Sequence, residues 1–362
     1  MKKLSALSLA LVSLNSFAAT KDLSIQTYCK TTNERRELSR YAVTHDGTIA
    51  STDSVGEGQQ SKKEYYRGCR YDTPWMENMY QALCNNDGSA RTLSDAAGAA
   101  NNVETPKNIL FFFDGAGDFN ASKAKVLDPV NIDGSEGVDL KMGNANGLRG
   151  LITMMNQTVT RYQGPKVLNI NHTLKKFKND IELHYHAGSG FMQRENYASA
   201  IACAKETKYN LEVLTNLKDN KTDDTKWFVM GYSNGGALTI DFQNESSKFD
   251  VNVDLAFAID PIVQTAYYMF SKGKKNIGVR HESTKRFVTM YQQDDRLSMS
   301  GFELRGKPVL NADENILLTS YNSNLASDGS YNHIRIPSDF AVYSKTNCEF
   351  SKILDNGASC TN

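Results

Sequence analysis

The sequence has no excess of charge of either sign: 41 Lys and Arg balance 41 Asp and Glu over 362 residues. The charges are interspersed, which excludes the basic tracts expected of a nucleic-acid partner or of electrostatic attachment to membranes. Long apolar runs are missing too. Leu4–Leu14 is too short to span a bilayer, and no later segment approaches the roughly 20 apolar residues that a transmembrane helix needs. No CxxC pair is present, so cysteine spacing indicates neither a redox nor a zinc site. There is no P-loop, no dinucleotide fingerprint and no internal repeat, and no cofactor is expected.

What is present begins with an export signal. Lys2 and Lys3 precede the apolar run, and Ser16-Phe17-Ala18 places small residues where a signal peptidase would cut before Ala19. Residues 1–18 therefore read as a signal peptide of bacterial type, and the mature chain is expected in the periplasm or secreted. No cysteine follows the cut, which argues against a lipoprotein. All six cysteines (Cys29, Cys69, Cys84, Cys203, Cys348 and Cys360) lie in the mature chain, and an even count in an exported protein suggests three disulfides. Many pairings are open. Short loops favour Cys69–Cys84 and Cys348–Cys360, leaving Cys29–Cys203.

Composition divides the mature chain at about residue 107. Residues 19–107 are polar and cysteine-bearing, a small N-terminal extension and linker. Ser24–Cys29 and Leu38–Thr44 read as short strands, and Pro74 to Cys84 as a short helix with proline in its first turn. Asn85–Thr105, with little apolar content, reads as a linker or long surface loop.

From residue 108 to 362 the rhythm changes. Apolar runs recur at Ile109–Phe113, Ile181–Tyr185, Trp227–Met230, Val253–Ile259 and Arg286–Tyr291, with a weaker one at Ile316–Thr319. Helical periodicity lies between them, at Leu148, Leu151, Ile152, Met155, Val159 and Tyr162, and more loosely at Tyr197, Ile201, Lys205 and Lys208. Buried strands alternating with helices predict an α/β fold, a mostly parallel sheet covered by helices on both faces. In such sheets, sites gather at the carboxyl ends of the strands. Gly115–Gly147 is a long Gly/Asn/Asp-rich excursion, either a lid-like loop or surface decoration.

One strand end stands out. Trp227–Met230 runs directly into Gly231-Tyr232-Ser233-Asn234-Gly235, a Gly-x-Ser-x-Gly motif followed by a helical segment, Ala237 to Phe249. That order is the sequence form of a nucleophile elbow, which exposes a serine hydroxyl on a strained strand-to-helix turn. The other strand ends carry Asp114-Gly115-Ala116, His186, Asp260-Pro261 and Asp294-Asp295, and His333 follows the weak last strand. A serine, carboxylates and a histidine thus arrive at one sheet edge in the chain order Ser, Asp, His.

The elbow and this order resemble the α/β-hydrolase superfamily over roughly residues 108–346. The resemblance implies an exported serine hydrolase acting on a carboxylic ester (lipase, phospholipase or esterase type), with a small-molecule or lipid ester as substrate and transient contact with a lipid surface. By position, it makes Ser233 the nucleophile and His333 the general base. It forms the oxyanion hole from the Asn234 backbone N–H and one of Gly115 or Ala116. The acid stays open between Asp260 and the Asp294/Asp295 pair. Ala258-Ile259-Asp260-Pro261 is similar to pancreatic-type lipases, which place the acid one strand earlier than most of the superfamily. Phe112-Phe113-Asp114-Gly115 with Gly188-Ser189-Gly190 resembles bacterial hydrolases related to phospholipase effectors. The chain departs from that group in having Asn234 where arginine is usual, and in lacking a threonine after Asp114-Gly115.

Blander readings accompany these. Asp260 suits an ordinary cap for a helix begun by Pro261. His184 and His186 alternate on one strand face but find no third metal ligand at matching spacing, so no metal is assigned. The oxygen-rich segment Asp128–Asp139 lacks EF-hand spacing and reads as a solvated loop. A hydrolase-fold binding protein without catalysis and a metal-assisted hydrolase centred on His184 and His186 remain the alternatives.

Overall fold

The computed structural model describes residues 19–34, 74–113, 181–186, 194–219, 224–262, 277–293, 305–319, 333, 336 and 340–354. The expected signal peptide, the strand at 38–44, the helix at 148–162 and the excursion at 115–147 lie outside these residues. The chain divides into two compact units, Met1–Pro106 with Ala202–Thr225, and Lys107–Ile201 with Lys226–Asn362.

In the first unit, residues 19–34 form helix α1 where a strand was expected at 24–29. The signal was there: Ile25, Tyr28, Cys29 and Thr32 are buried, and their spacing of three and four is helical, not alternating. Helix α2, Pro74–Leu83, buries Met76, Met79 and Leu83. A disulfide joins Cys29 of α1 to Cys84 at the end of α2. This overturns the expected Cys69–Cys84 and Cys29–Cys203 pairs. Helix geometry made the choice, because α1 presents Cys29 inward beside the Leu83 carbonyl, to which its sulfur lies at 3.5 Å. Cys203 and Cys348 are also disulfide-bonded, and no described cysteine is free.

The segment expected as a linker contains helix α3, Leu93–Ala100. Thr92 caps it: its Oγ1 accepts the Asp95 N–H at 3.2 Å and donates to the Asp95 carboxylate at 2.7 Å. Alanines, strong helix formers, supply the inward face through Ala96 and Ala100. Helix α4, Arg194–Leu217, contributes its length from Ala202 onward to this unit, with Leu211 and Leu214 fully buried.

The second unit is built on a six-stranded sheet. Its strands are β1 Asn108–Phe113, β2 Ile181–His186, β3 Lys226–Tyr232, β4 Leu255–Ile259, β5 Phe287–Gln292 and β6 Glu314–Leu318, in the spatial order β2-β1-β3-β4-β5-β6. Every pairing between them is parallel. The order reverses beside β1, so chain connections leave β1 and β3 in opposite directions, the arrangement that opens a crevice at the carboxyl ends of the strands. Helix α5, Asn234–Ser246, is continued by a 3₁₀ turn at Ser247–Phe249, and helix α6, Phe340–Leu354, follows the last strand. Sequence periodicity did not single out α6.

The two helices take opposite faces, as strand alternation dictates. On one face Phe242 of α5 packs on Phe111 and Phe113 at centroid distances of 4.9 and 5.8 Å. On the other, Leu110, Phe112, Phe228, Met230, Phe257, Ile259, Val288 and Met290 form a core with Val342 and Phe350 of α6. Phe228 stacks on Phe350 at 5.3 Å. Each such ring contributes roughly 2–3 kcal/mol through burial. Charge then registers α6 against the sheet. Arg286 donates to Glu349 at 2.9 Å and also pairs with Glu314, while Lys345 bridges Glu314 and Glu349 at 2.7 and 2.8 Å. The result is the expected α/β class, a parallel sheet with helices on both faces, with a disulfide near the N-terminus.

Candidate active site

Strand β3 ends at Tyr232 and α5 starts at Asn234, so Ser233 alone makes the turn. Its backbone sits at φ 59°, ψ −123°, a region that side-chain-bearing residues seldom adopt. Three hydrogen bonds hold it there: Ser233 N–H donates to Ile259 O at 2.9 Å, and Ile262 and Ala237 N–H donate to Ser233 O at 3.0 and 3.3 Å. The turn closes only because Gly231 has no side chain. A Cβ there would lie 2.0 Å from the Gly235 carbonyl oxygen. The Gly-x-Ser-x-Gly glycine is therefore a packing requirement.

One strand over, Asp260 follows β4, also with positive φ, at 43°. Its N–H donates to Met290 O at 2.6 Å. Among the described residues, its side-chain contacts run to Gln292 and His333. Oδ1 accepts the Gln292 N–H at 2.9 Å, and Oδ2 accepts Gln292 Nε2 at 3.0 Å and lies 2.5 Å from His333 Nδ1. A carboxylate surrounded by donors can only accept, so Nδ1 carries the proton and Nε2 is left as the acceptor. Nε2 lies 2.8 Å from Ser233 Oγ. The hydroxyl, imidazole and carboxylate form one hydrogen-bonded chain, and all three residues are buried, at 1%, 4% and 0% exposure.

Tyr232 holds the imidazole from the side. Its hydroxyl donates to His333 O at 2.6 Å, and its ring stacks on the imidazole at 5.1 Å and 26°. Tyr232 and Gln292 are contacts that sequence reading missed. Both stand beside residues it did single out, Tyr232 inside the motif and Gln292 just ahead of Asp294. Gly306 was missed for want of any local signal, and it matters for the same carboxylate: a Cβ there would lie 1.9 Å from Asp260 Oδ1.

Of the remaining expected residues, Asn234 opens α5 at the positive end of the helix. Gly115, Ala116, Asp294 and Asp295 lie outside the described residues, as does the Asp128–Asp139 segment. His281, the other histidine that follows Ser233 in the chain, has its Nδ1 2.7 Å from Ser283 Oγ. His184 on β2 is part-buried, stacks on Phe111 at 4.7 Å and has Nε2 2.8 Å from Glu182 Oε1. Among the described residues, no group of three or more His, Cys, Asp or Glu is arranged to hold a metal.

No family model matches the chain. No curated protein matches it either. Among solved structures it is similar to the Tle1 effector bound to the VgrG spike from the Type 6 secretion system, at 14% identity and a TM-score of 0.28. That similarity covers 58% of this chain and 49% of the other, so the chain spans about half the length of the structure it matches.

Proposed function

We propose that the protein is an exported serine hydrolase that cleaves carboxylic esters, of lipase, phospholipase or esterase type, through an acyl-enzyme on Ser233. The observation that carries this reading is the unbroken chain from Ser233 Oγ through His333 to the Asp260 carboxylate. A serine on a strained turn, bonded to an imidazole that is itself oriented by a carboxylate, is how a weakly acidic hydroxyl is made nucleophilic near neutral pH.

In this mechanism Ser233 Oγ bonds to the ester carbonyl carbon as its proton passes to His333 Nε2. The carbonyl π pair moves onto oxygen, and the oxyanion accepts hydrogen bonds from the Asn234 N–H and from Gly115 or Ala116. Collapse restores the C=O and breaks the bond to the alcohol oxygen, which leaves with the proton from Nε2. Water then gives a proton to Nε2 and adds to the acyl carbon. The carboxylic acid departs as Ser233 Oγ regains that proton. Asp260 keeps Nδ1–H aligned throughout and offsets the imidazolium charge.

Export is supported by the signal-like residues 1–18 and by the Cys29–Cys84 disulfide, a bond that oxidising compartments maintain. Among the described residues no helix is long and apolar enough to cross a membrane. The mature chain is taken to consist of an extension over 19–107 and a hydrolase domain over 108–362.

The test is covalent. A fluorophosphonate probe should label the wild-type protein and not Ser233→Ala, with both variants melting at the same temperature. Labelling that persists in Ser233→Ala would falsify the assignment. A wild-type protein that takes no label and turns over no ester would favour a binding protein on the same fold.

A further inference from the structure

We infer that Gln292 is a positioning residue of this site, a clamp that holds the Asp260 carboxylate so that Oδ2 faces His333 Nδ1. The inference rests on the hydrolase reading above and extends it to the strand on the far side of the acid.

Gln292 is the last residue of β5 and is fully buried. It approaches Asp260 with two donors at once. Its backbone N–H reaches Oδ1 at 2.9 Å and its side-chain Nε2 reaches Oδ2 at 3.0 Å. Because each oxygen has its own donor from the same residue, turning the carboxylate about its Cβ–Cγ bond breaks both contacts together. Gly306 closes another side, where any side chain would displace Oδ1. The Asp260 backbone, at φ 43°, is pinned to Met290 O on β5 as well. The carboxylate is thus gripped by Gln292 and walled by Gly306, and its contact at 2.5 Å points to the imidazole.

The chemistry requires an amide of this length. A methionine would fill the space and donate nothing. A glutamate would place a second carboxylate against Asp260, and like charges so close do not both remain ionised without a shift of neighbouring titrations. A neutral donor keeps Asp260 as the anion that His333 needs when it becomes imidazolium. Strand β5 ends where an acid is expected in most of the resembling superfamily, and here it supplies the acid's clamp.

Fluorophosphonate inactivation tests this without knowledge of the natural substrate. Gln292→Met should lower the maximal inactivation rate about tenfold, with the half-saturating probe concentration changed less than about twofold. Gln292→Glu should move the acid limb of the rate–pH profile up by about one pH unit, since an added negative charge beside the imidazole favours imidazolium. A residue of merely structural importance would lower the melting temperature and leave the rate per folded molecule and the limb unchanged. That result would overturn the clamp. Should Gln292→Met not fold, the isosteric Gln292→Glu carries the test alone, and an unmoved limb rejects the proposal. If the wild-type protein behaves like Ser233→Ala, the hydrolase reading fails first and the clamp falls with it. If the wild type is labelled and both Gln292 variants match it, only the clamp fails.

Discussion

Tyr232 stacks on His333 at a centroid distance of 5.1 Å and donates its hydroxyl to the His333 carbonyl oxygen at 2.6 Å. The first variable residue of the Gly-x-Ser-x-Gly motif thus holds His333 through both its ring and its backbone carbonyl. A single residue therefore links the serine turn to His333.

Removing only the hydroxyl tests that link. Tyr232→Phe keeps the stack and loses one buried hydrogen bond, of about 1 kcal/mol. The expected outcome is a fluorophosphonate inactivation rate about three- to tenfold lower with a small drop in melting temperature. Tyr232→Ala also empties buried volume, which costs about 3–5 kcal/mol, and should lower both rate and stability sharply.

The choice of acid is testable by comparing two variants. Asp260→Asn should slow inactivation by about a thousandfold or more, because the amide can no longer hold Nδ1–H or balance the imidazolium. An Asp294→Asn/Asp295→Asn double variant should stay within about twofold of wild type. Equal effects, or a larger fall in the double variant, would move the acid to β5.

Acid stability should depend on Glu349. Burial alone would raise its carboxyl, but hydrogen bonds from Arg286, Lys345 and Lys352 outweigh that and hold it down at about 2, against an ordinary value of 4.5. A depressed carboxyl contributes stability that is fully present above its unfolded value and is lost as pH falls through the folded one. The loss should therefore run from about pH 4.5 to pH 2 and be of order 2 kcal/mol. Urea midpoints at pH 7 and pH 3 should converge in Glu349→Gln, which lacks this titration. Undiminished pH dependence in that variant would place the sensitivity elsewhere.

In the first unit, the Cys29–Cys84 bond closes a separation of 55 residues. A Cys29→Ser/Cys84→Ser double variant should lose about 2–5 kcal/mol there. Hydrogen exchange is the direct readout: amides of α1 and α2 should exchange faster, and unchanged protection would show that packing of Ile25, Met76 and Met79 suffices alone.

How much was legible in the sequence differed by element. The β3–Ser233–α5 junction was legible because its requirements are local: an apolar strand, a glycine where a Cβ would strike the next turn, and a helix that begins at once. The parallel sheet was legible for a related reason. Strands buried on both faces carry continuous apolar runs, such as Ile109–Phe113, which a sheet covered by helices on both sides hides from water. The helices at 19–34 and Leu93–Ala100 were readable in principle, from a three-and-four spacing and a Thr92 cap, but polar composition obscured them.

The partnership between Asp260 and His333 was of another kind. The two are 73 positions apart in the chain, yet His333 Nδ1 lies 2.5 Å from the carboxylate that follows β4. Sequence left two acids open, since both follow strands that finish at the same edge. The tertiary structure surrounds Asp260 and His333 with contacts that have no local signature: Gln292 from the adjoining strand, Gly306 from a later segment, and Tyr232 stacked on the imidazole. By itself, the sequence determined which residues could carry chemistry at the sheet edge, because strand, turn and helix propensities act over a few residues. Only the folded chain decided which of them touch, because hydrogen bonds act over about 3 Å in space, whatever the distance along the chain.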